Sequence, residues 1–487
     1  MASLYRITAT TLASTLLLSP ASAQDCKFET LKTSYPSPEI AKDWSYSLVA
    51  NEFRRPRGIT FDNKGALIVI DSGNGIIHLE LEDGGGTCLQ VKKKTTLLKQ
   101  DNLNHGLAIS KDGRTLYASS SNDVFAWSYN STKVEVDNST VQTLVTNMAN
   151  GGHTSRTLLI SEKSPDMLLV SRGSAGNDDR GAEDQATGRS QIRAFNISSF
   201  SSRSNLKPFD YLQGRRLGWG LRNSVGLAEH PETGGIFSVE NSADQLARNG
   251  KDIHKDNPAE EMNFHGYLNG SREDQGGNYG YPHCYTLWST KDFPDLGNLK
   301  VGEQFPADRQ SRQFKEDTNP TDEECKKEYV APVMAFQAHT APLDMKFDKE
   351  GTTAYISFHG SWNRNPPVGY QISRVAFEAG QPKKSSSSSA DDTSLIWNEK
   401  LGSCPENCFR PVGLAWDSQD RLWFSSDSTG EIFVMNHRKE DSDSNSSQGD
   451  DDDDDDDDNN NSAFSLQPSS AALIVTLAAV VMGGFMA

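Results

Sequence analysis

Six basic side chains recur at one kind of position. Arg57, His105, His153, Arg222, His339 and Arg410 each stand just ahead of a short stretch in which apolar and polar residues alternate. If those stretches are strands set around a common axis, the six groups face one another at one mouth of a channel. Crowding cationic or titratable groups in that way is unfavourable unless something anionic lies among them. Arginine forks bind carboxylates through paired hydrogen bonds, so the expected ligand is a planar or multiply carboxylated anion. The competing reading gives each residue only a local carbonyl partner at its strand start, and His105 fits that lesser role best.

A second stretch offers different chemistry. Residues 239–266, VENSADQLARNGKDIHKDNPAEEMNFHG, are rich in carboxylates, Asn and Gly. Such a segment supplies oxygen ligands to a hard cation. It has neither EF-hand spacing nor a His/Cys zinc pattern, so calcium is the expected ion. Glu260 and Glu261 are as well suited to bracing the loop as to ligation.

Those residues need a frame, and the repeats describe it. Residues 57–80 read RGITFDNKGALIVIDSGNGIIHLE, and residues 408–436 read CFRPVGLAWDSQDRLWFSSDSTGEIFVMN. Each runs through an alternating strand, an Asp/Gly turn and a second strand, the hairpin pattern. Six copies start 48, 48, 69, 117 and 71 residues apart. That spacing predicts an all-β, six-bladed β-propeller with a long calcium-loop insertion between the fourth and fifth repeats. The stretch WSYSLVA, Trp44 to Ala50, is expected to supply the outer strand of the last blade and close the ring.

The chain of 487 residues carries a net charge of −18, nine units of it from Asp450 to Asp458. The remainder is only mildly acidic, which argues against nucleic-acid binding. Residues 1–23 read as a secretory signal peptide, residues 24–436 as the propeller, and residues 437–462 as a Ser/Asp-rich solvated stalk. Residues 463–487 end in an uncharged apolar run and read as a GPI-anchor signal, with a transmembrane helix as the alternative. Segment 380–395 reads as a flexible surface insertion. Sequons at Asn130, Asn138, Asn196, Asn269, Asn445 and Asn460 suit a secreted, glycosylated protein at the outer face of the plasma membrane or cell wall. Six cysteines allow fifteen pairings. Sequence order favours Cys26–Cys88, Cys284–Cys325 and Cys404–Cys408.

The motifs GGHTSR (151–156), LRNSVGL (221–227), VENSADQL (239–246), DNPAEE (256–261), NYGYPHC (278–284), HGSWNR (359–364) and FRPVGLAWD (409–417) resemble the pyrroloquinoline quinone (PQQ)-dependent sugar dehydrogenases. The likeness is to the soluble glucose/sorbosone dehydrogenases, and especially their fungal secreted pyranose dehydrogenase branch. It spans roughly residues 40–436. It implies a cofactor with three carboxylates in the basic mouth, bridged to the protein by calcium. It places the catalytic base at His153 and quinone contacts at Arg222 and Asn223. Arg410 and Arg364 fall where cofactor carboxylates are bound, and Asn241, His339 and Trp362 lie beside the cofactor. The calcium-bridging carbonyls match Ser242 and Ala243, where bacterial members have Gly-Pro. No carboxylate stands where bacterial members orient the catalytic histidine. Ser171 and Arg172 lie there, and an adjacent Arg would keep His153 neutral.

The resemblance implies oxidation of a sugar at its anomeric carbon, with electrons passed to an external quinone, cytochrome or copper enzyme. Trp362, Tyr281 and Trp288 are the expected sugar-facing aromatics. Two rival functions are a cofactor-free binding propeller and a calcium-dependent lactonase. The latter needs axial carboxylates, and the repeats show none at their strand starts.

Overall fold

The computed structural model describes residues 26–202, 206–308, 320–384 and 393–438. The signal peptide, nearly all of the stalk, the anchor signal and the sequons at Asn445 and Asn460 lie outside the described residues, as do residues 385–392 of segment 380–395.

Six sheets form the propeller, antiparallel except for the parallel edge pair of Phe209–Asp210 with Glu135–Thr146. The innermost strand of each is its first: Pro56–Phe61, Leu103–Ile109, Leu158–Ile160, Ser224–Glu229, Pro342–Phe347 and Pro411–Trp416. The sixth sheet is completed by Trp44–Ala50, paired antiparallel with Glu431–His437, so the start of the domain closes the ring as expected. Glu39–Ile40 adds a further strip to the fifth sheet, against Thr393–Trp397. Apolar side chains fill the spaces between blades. Phe237, fully buried, meets Phe347 edge-on at 5.6 Å across the fourth and fifth blades. Truncating such a ring to Ala costs about 3–5 kcal/mol.

The long insertion belongs to the fourth blade itself. It divides into a segment between Gly235–Glu240 and Glu260–Tyr267, and another between Glu260–Tyr267 and Met334–Phe336. The second contains the hairpin Cys284–Thr286/Gln304–Pro306 and the helix Asp322–Glu328. All three expected disulfides form, Cys26–Cys88, Cys284–Cys325 and Cys404–Cys408.

Near the mouth, five of the six inner strands carry a register shift, between Pro56 and Ile59, Leu103 and Leu107, Ser224 and Gly226, Pro342 and Asp344, and Pro411 and Leu414. A bulge re-aims side chains and frees backbone groups. Buried serines of the second strands take up those groups. Ser119, Ser357 and Ser425 accept the N–H of Gly106, Asp344 and Gly413. Each then donates to a carbonyl of the next blade, that of Arg156, Val412 and Arg57. Ser171 belongs to this set, accepting the Thr157 N–H at 3.2 Å.

The bulges also correct the expectation of one six-membered ring. A Cβ on Gly58, Gly106 or Gly413 would fall within 2.3 Å of the neighbouring blade's backbone, so these glycines mark equivalent levels. Arg57 and His105 directly precede such a glycine. Arg222 lies four residues before Gly226, and Arg410 three before Gly413. At the level of Arg57 and His105, the other blades place Val225, Leu343 and Val412, which pack together at the axis. The six basic residues therefore stand at different depths.

Candidate functional site

Two polar assemblies occupy the mouth. The first joins the first, second, fifth and sixth blades around Asp427. Arg57 Nη1 donates to Asp427 Oδ2 at 2.6 Å, and His359 Nε2 lies 2.7 Å from Oδ1. Arg57 Nε also donates to His105 Nδ1 at 3.2 Å. Burial would raise the Asp427 carboxyl, but His359 and Arg57 hold it far below the usual carboxylate range. Burial and the Arg57 charge push His105 down, so its ring stays neutral and accepts. Arg410 donates through Nε and Nη2 to the carbonyls of His359 and Gly360, while its Nη1 makes no hydrogen bond among the described residues.

The second assembly joins the third, fourth and fifth blades around Arg222. His153 lies on the loop before the third inner strand, and its Nδ1 meets Ser174 Oγ at 2.8 Å. That hydroxyl donates its one proton to Gly176 O at 2.7 Å, so it can only accept from His153. The proton of His153 therefore sits on Nδ1, and Nε2, bonded to nothing within the described residues, keeps its lone pair. Burial and then the Arg222 charge lower the His153 pKa to about 3. The expected orienting pair is thus corrected. Ser171 is held by the Thr157 N–H, and Arg172 points away to Asn150 Oδ1, Thr187 O and Ala149 O.

Arg222 is held by its surroundings. It donates to Asn177 O, Asn177 Oδ1 and Asn241 O, and lies 3.8 Å from Asp244. Its own N–H is held by the buried Glu240 at 2.6 Å. Asn223 is buried, yet its amide has no hydrogen bond among the described residues. Gly173 makes room for it, since a Cβ there would lie 2.6 Å from Asn223 Oδ1 and 2.7 Å from His153 Cβ. The base and the unpartnered amide thus flank one glycine. His339 pairs with Asp244 at 3.3 Å, and Asn241 donates to Pro342 O.

Glu260 braces the loop. It accepts the Ser242 N–H at 2.7 Å and the Ala341 N–H at 3.1 Å, tying the 241–245 turn to the segment after His339. Burial pushes its carboxyl up to about 7. The carbonyls of Ser242 and Ala243 accept no hydrogen bond among the described residues. Two unpartnered carbonyl oxygens on a braced turn suit a hard cation. Arg410 Nη1 and the Asn223 amide likewise suit a carboxylated, carbonyl-bearing cofactor.

The geometry gives several of the expected residues partners of their own. Arg364 commits every guanidinium nitrogen to its own loops, at Lys255 O, Pro366 O and Asp256 Oδ1. Tyr281 is buried and braces Asn177 and Asp179 through its hydroxyl, so it presents no face to a sugar. The backbone N–H of Trp288 is held by Asn257, in the insertion. Trp362 remains 68% exposed. Carboxylates do reach the mouth, but from loops, where Asp427 and Asp244 are engaged by Arg and His partners. Ser174, Asn177, Asp244, His359 and Asp427 were not assigned roles from sequence, although Asp244 and His359 lie inside quoted motifs.

A cavity of about 870 Å³ runs along the inner strands past His105, Leu107, Ile160, Lys346 and Trp416. It shares only His105 with the assemblies at the mouth.

A family model described as TrAA12-like matches residues 38–438. A PQQ-dependent sugar dehydrogenase of Hypocrea jecorina (strain QM6a) is 49% identical over 426 residues, covering 87% of this chain and 95% of that protein. A PQQ-dependent pyranose dehydrogenase of Coprinopsis cinerea is 36% identical over 412 residues, covering 81% of this chain. The chain spans 54% of that longer relative. Among solved structures, the calcium structure of the Trichoderma reesei family AA12 enzyme superposes with a TM-score of 0.80 at 51% identity, covering 84% of this chain and 99% of that one. The holo PQQ domain of the Coprinopsis cinerea pyranose dehydrogenase gives 0.75 at 35% identity, covering 83% and 98%.

Proposed function

The chain belongs to the TrAA12-like family of PQQ-dependent sugar dehydrogenases and is an oxidoreductase, and we propose that it oxidises an aldose or pyranose at the anomeric carbon. The observation that carries this reading is the His153 tautomer: Nδ1 is fixed by Ser174, and Nε2 is free beside the unpartnered Asn223 amide.

When bound, PQQ supplies the electrophilic carbonyl carbon that takes hydride from the sugar. His153 Nε2 accepts the proton of the anomeric hydroxyl. Arg222, immobilised by Asn177 and Asn241, contributes a fixed positive charge where negative charge develops. Asn223 would donate to or accept from the cofactor, and Arg410 Nη1 would donate to one of its carboxylates. The carbonyls of Ser242 and Ala243 would hold calcium. Trp362, exposed at the tail of the His359–Arg364 turn, offers a face to the incoming sugar.

The acceptor of the electrons is external: a quinone, a cytochrome or a copper enzyme. The signal-like residues 1–23 and the apolar end at 463–487 support a secreted, glycosylated, GPI-anchored protein at the cell surface. A phosphatidylinositol-specific phospholipase should release it from cells, and retention of an intact 463–487 segment would overturn the anchor.

The test of activity is titration of the cofactor-free chain with PQQ in the presence and absence of calcium, followed by a panel of aldoses and pyranoses. Calcium-dependent uptake and sugar-driven bleaching of the bound quinone are expected. Uptake without reduction by any sugar would overturn the assigned reaction.

A further inference from the structure

We propose that Asp244, His254 and His339 form a second cation site, for a borderline divalent ion of the zinc class. One ligand atom from each residue lies within 4.8 Å of the other two. The positions are 244, 254 and 339, so no compact spacing in the chain announces them. The fold brings the insertion of the fourth blade against the start of the fifth.

His339 and Asp244 are oriented as metal ligands are. His339 gives its Nε2–H to the His254 carbonyl, which leaves Nδ1 facing Asp244 Oδ1 at 3.3 Å. A far ring N–H tied to a carbonyl is how proteins aim a metal-binding imidazole. Asp244 Oδ1 is itself held by Asn363 Nδ2 at 3.0 Å. The His254 ring stands edge-on to His339, with centroids 4.4 Å apart. Asp244 and His254 are half-buried, so an ion can reach them from solvent.

The donor set selects the ion. Two imidazoles and one carboxylate suit zinc, copper or nickel, whereas calcium takes oxygen ligands. Three protein ligands leave a fourth position for water. Bonds of about 2.0–2.1 Å require the ligand atoms to draw in to roughly 3.3–3.5 Å from one another, a side-chain movement. His254 carries the cost: its Nδ1 now accepts the Gln245 N–H at 2.7 Å. Gln245 is exposed, so water can take over its N–H when that bond breaks. The site is distinct in chemistry from the Ser242–Ala243 carbonyls, and it adjoins Arg222 through Asp244.

Calorimetry with zinc chloride on the full chain, without cofactor and in excess calcium, tests this. About one zinc per chain is expected. His254→Gln and Asp244→Asn should each weaken binding by more than the roughly 10–100-fold that loss of an outer-shell partner costs. His437→Gln, at an exposed site, should leave it unchanged. No stoichiometric zinc, or equal affinity in His254→Gln, would overturn the proposal. X-ray absorption at the zinc edge on the unaltered chain keeps the test independent of variant folding. Two imidazoles in the zinc shell support the site, and any other number overturns it. No sugar or PQQ enters either measurement, so failure here leaves the proposed oxidation standing.

Discussion

Ser174 stands 2.8 Å from His153 Nδ1 and gives its own proton to the Gly176 carbonyl. One hydroxyl thereby fixes which nitrogen of the histidine can act as a base. Removing it should free the tautomer without disturbing the pocket. Ser174→Ala is expected to lower the rate of quinone reduction about tenfold, the worth of roughly one hydrogen bond, with PQQ affinity unchanged. Ser174→Thr should restore most of the rate. Stopped-flow reduction of the bound quinone reads both variants, and an unaltered rate in Ser174→Ala would remove Ser174 from the mechanism.

The low pKa of His153 has a sign that can be checked. Burial and Arg222 set it near 3, below the usual 6.5. Between those values the unfolded chain binds a proton that the folded one does not, so this contribution to stability is lost as pH falls from 6.5 towards 3. The folded base stays neutral over the same range. The acid limb of kcat/KM assigned to His153 should therefore lie well below pH 6.5. His153→Gln should abolish that limb and slow the step by about 10²–10⁴-fold. A limb at 6.5 in the unaltered enzyme would show that the ring is solvated.

Two arginines expected to act alike should behave differently. Arg410 keeps Nη1 for a ligand, so Arg410→Ala should weaken PQQ binding by about 2–4 kcal/mol. Arg364 is committed to Lys255, Pro366 and Asp256. Arg364→Ala should loosen residues 255–256 to proteolysis and change PQQ affinity little. Calorimetric titration of both apoproteins decides this, and equal losses would return Arg364 to the cofactor.

Asp427 should be a stability residue before it is anything else. It is buried between Arg57 and His359. Asp427→Asn leaves the Arg57 guanidinium without its counter-charge and should cost about 3–5 kcal/mol at neutral pH. Its folded pKa is depressed, so its contribution is present above the unfolded value of about 3.9 and is lost as pH falls below it. The difference in unfolding free energy between the two proteins should shrink below about pH 4. A constant gap would mean that the residue acts through shape alone.

The sequence by itself determined the six-bladed propeller, its closure by Trp44–Ala50 and its three disulfides. Period-two alternation and turn residues are local properties, and the order of repeats and cysteines along the chain extends them to the ring and its pairings. The motifs likewise brought His153, Arg222 and Asn223 to notice together, and the structure sets them around Gly173. Tertiary structure alone decided the depth and partner of each basic residue. Bulges shifted Arg57 and His105 relative to Arg222 and Arg410, and loops supplied the counter-charges. Asp427 meets Arg57 across 370 positions of chain. His339 meets the carbonyl of His254 across 85. A side chain's partner depends on where blades and insertions converge, and no local pattern carries that distance.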